Sequence, residues 1–118
     1  MVATGELGNY GEEVAAAFLE EHGLVLLARN WRCREGELDI VAQEGRTLVF
    51  CEVKTRSGVG YGLPAEAVSP SKARRLRRLA AAWLHESTTV WPEIRFDVVS
   101  VIRRRGYAPV IEHLRAAF

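Results

Sequence analysis

Two short segments constrain this chain more than anything else in it: Gly36-Glu37-Leu38-Asp39-Ile40-Val41 and Val49-Phe50-Cys51-Glu52-Val53-Lys54. Each has the alternation of a half-buried strand, and each carries acids where such a strand is ordinarily apolar or neutral. Between them lies Glu44-Gly45-Arg46-Thr47. A two-residue loop at Gly45-Arg46 suits a type II′ turn, which wants glycine first. That turn pairs Glu44 with Thr47, and by extension Asp39 with Glu52 and Glu37 with Lys54. Side chains alternate along a strand. One face then carries Glu37, Asp39, Val41, Phe50, Glu52 and Lys54. The other carries Leu38, Ile40, Ala42, Val49, Cys51 and Val53, all apolar. A slip of one residue would mix the sets and bury charge, so pattern and turn agree on the register.

This register sets Asp39 against Glu52. Two carboxylates ~5 Å apart repel by roughly 3 kcal/mol at an effective dielectric of about 20. An exposed ion pair such as Glu37 with Lys54, the bland account of this face, contributes about 0.5 kcal/mol and does not offset that. The tension is relieved if one acid keeps its proton or if a cation sits between the two. Mg²⁺ takes few carboxylates, keeps several waters and binds substrate phosphate, so acids on adjacent strands suit it.

The rest of the chain supplies a scaffold. Helical spacing of Val14, Ala15, Phe18 and Leu19 predicts a helix over about 8–22 with Gly23 as its stop. Strands are expected at about 24–31, 37–43, 47–55, 94–103 and 108–113. Ser69-Pro70 opens a second helix as N-cap and first residue, and Leu76, Leu79, Ala80, Trp83 and Leu84 form its apolar stripe. Residues 57–64 are expected to form a glycine-rich loop, either one that closes over a strand with Tyr61 or simply a long turn. The order α-β-β-β-α-β-β predicts an α/β fold, a mixed sheet with helices packed on it. At 118 residues the chain is expected to form one domain, residues 1–118. It buries roughly two-thirds of its unfolded surface.

Sixteen Lys and Arg against fifteen Asp and Glu leave a net charge of +1, so the total predicts no partner. The distribution does. Lys72, Arg74, Arg75, Arg77 and Arg78 crowd the first two turns of the second helix without interleaved acids. Cations there oppose the helix dipole, an arrangement that invites phosphate as the partner. Arg103-Arg104-Arg105 end a later strand. Nothing in the pattern reads bases, so backbone or shape recognition is expected. Cys33 and Cys51 match no metal spacing, and a disulfide framework is not expected. With no basic leader followed by an apolar core, and no apolar run of bilayer length, the expected location is the cytoplasm, away from membranes. Trp31, Trp83 and Trp91 are expected in packing. His22, His85 and His113 are expected at the surface. Arg95 and Asp97 are expected to form a structural ion pair beneath the acids.

Asp39, twelve residues, then Glu52-Val53-Lys54 resembles the D…(D/E)xK signature of the restriction-endonuclease-like superfamily. The wider chain resembles the YraN family of small bacterial proteins, related to archaeal Holliday-junction resolvases. The matching stretches are Gly8-x-x-Gly11-Glu12-x-x-Ala15, Gly36-Glu37-Leu38-Asp39, Val49 to Arg56, Lys72 and Arg95-Phe96-Asp97, in order. Leu38 stands where the superfamily usually has proline. The resemblance implies a three-layer α/β/α fold with a central mixed sheet, and a metal-dependent nuclease acting on DNA, branched or single-stranded, with Mg²⁺ or Mn²⁺. It implies Asp39 and Glu52 as metal ligands, Glu12 as a further acid on the metal or its water, and Lys54 as the group that orients water or stabilises developing charge. From the residues alone, Glu12 is equally a first-turn acid complementing the helix dipole. Glu37 is expected to tune Lys54. Arg56 and Lys72 are the basic residues nearest the implied site, with Arg74, Arg75, Arg77 and Arg78 beyond them on the nucleic-acid surface. The rival reading is a non-catalytic nucleic-acid-binding module of a recombination or repair assembly. Homodimerisation is implied only by analogy with the resolvases.

Overall fold

The computed structural model describes residues 6–58 and 68–118. The glycine-rich loop around Tyr61 lies outside them. The elements are α1 (Glu6–Glu21), β1 (Val25–Cys33), β2 (Gly36–Glu44), β3 (Thr47–Ser57), α2 (Pro70–Glu86), β4 (Glu93–Arg103) and β5 (Val110–Leu114), in the expected order. The five strands form one sheet in the order β1-β2-β3-β4-β5. Only β3 and β4 are parallel; the other neighbours run antiparallel. A parallel pair needs a crossover, and α2 provides it.

One helix covers each face of the sheet, giving the expected three layers. Ala15, Ala16 and Leu19 of α1 pack on Ile40, Ala42, Val49, Cys51, Val99 and Val101. Leu76, Leu79 and Ala80 of α2 pack on Leu38, Val41, Leu48 and Phe50, with Trp31, Trp83, Trp91, Phe96 and Phe118 around them. The tryptophans are therefore packing residues. Strand β4 is buried without a break from Asp97 to Ile102, as a strand covered on both faces must be.

Local chemistry explains the ends of the elements. Gly23 has φ 93°, and its N–H bonds to the Glu20 carbonyl while that of Leu24 bonds to Leu19, a Schellman stop. The Ser69 hydroxyl accepts the Lys72 N–H at 3.2 Å, and Pro70 follows at the first helical position. At the β2–β3 turn Gly45 has φ 61° while Arg46 stays negative, as a type II′ loop requires.

The structure corrects three expectations. Leu38 packs with α2 rather than with the α1 face. Alternation breaks beside Asp39, opposite Asn30, which adopts a left-handed φ of 52°. Helix α1 extends to Glu6, so Glu12 lies in its second turn, beyond the reach of the dipole effect. Third, His113 is not a surface residue; its side chain is 5% exposed.

Candidate functional site

The β2–β3 ladder follows the expected register from Glu44–Thr47 to Ile40–Cys51 and stops there. The pairings expected beyond it, Asp39 with Glu52 and Glu37 with Lys54, are not made. Instead the Val53 N–H donates to the Asp39 carboxylate at 2.8 Å. Strand β2 stays paired with β1 as far as Gly36–Cys33, so the strands part between β2 and β3. A side chain has replaced a main-chain acceptor, and the gap it opens is where the charged groups gather.

Three acids line that gap. Glu12 is 6% exposed and Glu52 is 8% exposed. Asp39 is half-buried and is pushed up to about 7 by burial first, then by the charge of Glu52, with Glu12 and Glu37 adding to it. Burial likewise raises Glu12 above its ordinary range, against a hydrogen bond from the Asn30 side chain. Glu12 reaches this place because α1 presses tightly on β3. A Cβ on Gly11 would fall on the Thr55 hydroxyl and within 2.7 Å of its Cγ2.

Two lysines answer the acids. Lys72, in the first turn of α2, holds Glu52 at 2.7 Å, and Lys54 lies 3.4 Å from the same oxygen. Burial lowers the Lys54 pKa, and the neighbouring ammonium of Lys72 adds to the effect. Lys72 moves the opposite way: burial alone would lower it, but Glu52 more than compensates. Lys72 thus makes the shorter ion pair with Glu52, and Lys54 the longer one.

The structure therefore brings together Glu12, Asp39, Glu52, Lys54 and Lys72. Glu37 does not pair with Lys54; it lies 3.6 Å from Arg32. Arg56 follows Glu52 and Lys54 at alternate positions of β3 and is half-buried. On α2, Arg78 is drawn to Glu35 at 3.9 Å, and the Arg77 guanidinium lies 4.7 Å from the centre of the Phe96 ring. Acids distant in sequence thus pair with part of a helix that looks unpaired along the chain. Arg74 and Arg75 are exposed and have no carboxylate partner among the described residues. Asn30 is the site neighbour that sequence reasoning missed. Its signal was its type, since Asn tolerates the left-handed conformation.

Arg95 and Asp97 form the expected ion pair, with two hydrogen bonds of 2.9 Å. The His113 imidazole at 2.8 Å and the Ala116 N–H at 3.0 Å complete the shell of Asp97. Burial would raise Asp97, but these donors, His113 first, hold it below its ordinary range. Cys51, Asp97 and His113 present ligand atoms within 4.8 Å of one another. Asp97 already spends both oxygens on protein donors, and burial keeps the Cys51 thiol strongly protonated. The cluster is a clasp that ties β5 and the chain end to β4. Asp97 lies beside Cys51 in the β3–β4 register, one residue from Glu52.

A five-stranded mixed sheet between two helices, with acids and lysines gathered where β2 and β3 part, defines an α/β protein whose architecture is consistent with a restriction-endonuclease-like fold. Residues 11–101 match the model of the Uncharacterised protein family UPF0102, the YraN family of the sequence resemblance. The chain belongs to that family. It is similar to a UPF0102 protein of Nocardia farcinica, 56% identical over 112 residues that cover 95% of this chain and 88% of the relative. It is also similar to the UPF0102 proteins Franean1_1156 of Parafrankia sp., 55% identical over 118 residues, and Francci3_3586 of Frankia casuarinae, 56% identical over 119 residues. In both cases the whole of each chain is covered. Among the described residues no helix is long and apolar enough to cross a membrane.

Proposed function

We propose that this protein is a metal-dependent nuclease that hydrolyses phosphodiester bonds of DNA, branched or single-stranded. The observation that carries the proposal is the gap between β2 and β3, where Glu12, Asp39 and Glu52 converge beside two lysines. An all-oxygen donor set of carboxylates, one of them held high by burial and by its acidic neighbours, fits a hard cation such as Mg²⁺ or Mn²⁺. Asp39 and Glu52 would hold it, with Glu12 as a third ligand or as the acceptor for a coordinated water. When bound, such an ion supplies a more acidic water and a counter-charge for the phosphoryl oxygens.

The remaining work falls to the chain. The hydrogen bond from Val53 fixes the Asp39 carboxylate. Lys72 fixes Glu52. Lys54, with its weakened hold on its proton, orients the attacking water and stabilises charge as it builds on the phosphate. Arg56, Arg74 and Arg75 hold flanking phosphates, with Arg77 and Arg78 contributing at the edge.

The test is isothermal titration of Mn²⁺ into the wild type and an Asp39→Ala/Glu52→Ala variant, followed by cleavage assays on branched and single-stranded DNA. Binding and cleavage are expected in the wild type alone. Equal Mn²⁺ binding by the variant, or cleavage that survives both substitutions, would overturn the proposal.

A second reading has its own support. Glu52 is engaged by both lysines, which lowers the need for a cation at that carboxylate. A non-catalytic nucleic-acid-binding module would show salt-sensitive DNA binding that survives loss of Asp39 and Glu52 and falls with Arg74→Glu.

A further inference from the structure

A groove of about 930 Å³ opens beside the ends of β3 and β4. Its lining includes Tyr10, Ser57, Arg103, Arg104, Arg105 and Tyr107. The tight turn that follows β4 builds it. The Tyr107 N–H closes onto the Arg104 carbonyl at 3.1 Å, and Gly106 takes φ 79° where a type II turn needs glycine. Three consecutive guanidinium groups are thereby brought to one mouth. Among the described residues they have no carboxylate partner; Glu6 is the one acid in the lining.

The aromatic rings are arranged with the cations. The Arg103 guanidinium lies 4.8 Å from the centre of the Tyr10 ring, and that of Arg104 lies 5.4 Å from the centre of Tyr107. Arg104 also donates to the Ala108 carbonyl at 3.3 Å, which steadies it. Tyr107 is 72% exposed, an unusual position for a large ring. Cations that track a backbone, interleaved with exposed rings, are the means by which proteins hold single strands, because unpaired bases offer faces for stacking. The bases of a duplex are stacked on each other and offer none.

The groove lies farther along the same two strands, on the face that α1 covers. Arg103 pairs with Ser57 and Ser100 with Lys54 in the parallel ladder, so the groove begins three residues beyond Lys54. At the rise of a strand that is roughly 10 Å. Tyr10 is two residues before Glu12 on α1.

We infer that this groove binds a single-stranded stretch of nucleic acid flanking the phosphate at the acidic gap, with Arg103, Arg104 and Arg105 on its phosphates and Tyr107 stacked on a base. The inference rests on the reading of the chain as a protein that acts on nucleic acid. It adds that the substrate has an unpaired arm on the side of β4.

The experiment is fluorescence anisotropy with a labelled dT oligonucleotide of about 12 nucleotides and a duplex of equal length, in EDTA so that no metal is needed. Tyr107→Ala is expected to weaken single-strand binding about tenfold and leave duplex binding unchanged. Tyr107→Phe keeps the ring and is expected to bind as the wild type does. Arg104→Ala/Arg105→Ala is expected to lower the single-strand salt slope by about 1.4. A wild type that does not bind the oligonucleotide, Tyr107→Ala or Arg104→Ala/Arg105→Ala variants that bind it unchanged, or equal losses for both probes on Tyr107→Ala would overturn the inference. The groove and the nuclease reading fail separately. Groove-dependent binding without Mn²⁺ uptake or cleavage would remove the nuclease and leave the groove. Cleavage that ignores Tyr107 would do the reverse.

Discussion

Asp39 carries two obligations that pull apart. Its carboxylate must accept the Val53 N–H, which favours the charged form, and it must sit among Glu52, Glu12 and Glu37, which oppose it. Burial and the neighbouring acids win, and the group is pushed up to about 7. The unfolded chain ionises this acid near 3.8 and the folded chain near 7, so ionisation costs the folded state progressively between those values and by a constant amount above them. Asp39→Asn keeps an oxygen for Val53 and removes the charge. Its melting temperature is expected to match the wild type near pH 4 and to exceed it by about 5 °C or more at pH 8, measured without divalent metal. Mn²⁺ at pH 8 is expected to raise the wild type and not the variant. A pH-independent difference would mean that the carboxyl group is not strained by its neighbours.

At the scale of elements, the approach of α1 to β3 decides whether Glu12 takes part at all. In an exposed helix, glycine to alanine stabilises by up to about 1 kcal/mol. At Gly11 the added methyl would collide with Thr55, on a strand held in the sheet by its ladder with β4. Gly11→Ala is therefore expected to destabilise by about 1–3 kcal/mol in denaturant titration, and to weaken any Mn²⁺ binding as Glu12 is displaced. Adding Thr55→Ala is expected to recover only part of the loss, since the Thr55 Cβ itself lies 2.8 Å from the new methyl. A stabilised single variant would show that the two elements have room to spare. The same scale shows what the sequence made legible. Glycine at the first loop position and the alternation of apolar residues set the register from Glu44 to Ile40, and the ladder observed is the one they require. They could not show where the ladder ends, because alternation continues through Asp39 in the letters alone. The break coincides with the left-handed Asn30 of another strand and with a hydrogen bond that only the folded chain makes. His113 escaped for the same reason: its partner Asp97 is sixteen residues away and adjacent only across the β4–β5 pair.

For the molecule as a whole, the net charge of +1 conceals a segregation. While Glu13, Glu20, Glu21 and Glu86 stay exposed elsewhere, Glu12, Asp39 and Glu52 gather at the gap between β2 and β3. Cations stand on both sides of it, on the exposed surface of α2 and in the turn after β4. A near-neutral protein with dispersed charge would bind nucleic acid weakly at any ionic strength. With about five cations engaging phosphates, affinity for single-stranded DNA is expected to fall about a hundredfold between about 50 and 200 mM salt. Arg74→Glu/Arg75→Glu is expected to flatten that dependence without lowering the melting temperature, because both residues are exposed. Anisotropy across a salt series checks it, and a salt-insensitive affinity would reduce the segregation to a matter of solubility.

The hydrogen bond between Val53 and Asp39 has one more consequence. A main-chain amide that ends on a titratable carboxylate, where its neighbours end on carbonyls, is a spectroscopic probe supplied by the fold. Its proton resonance shifts as Asp39 takes up or loses charge, so a single backbone signal follows the occupancy of the acidic gap without any label or substitution there.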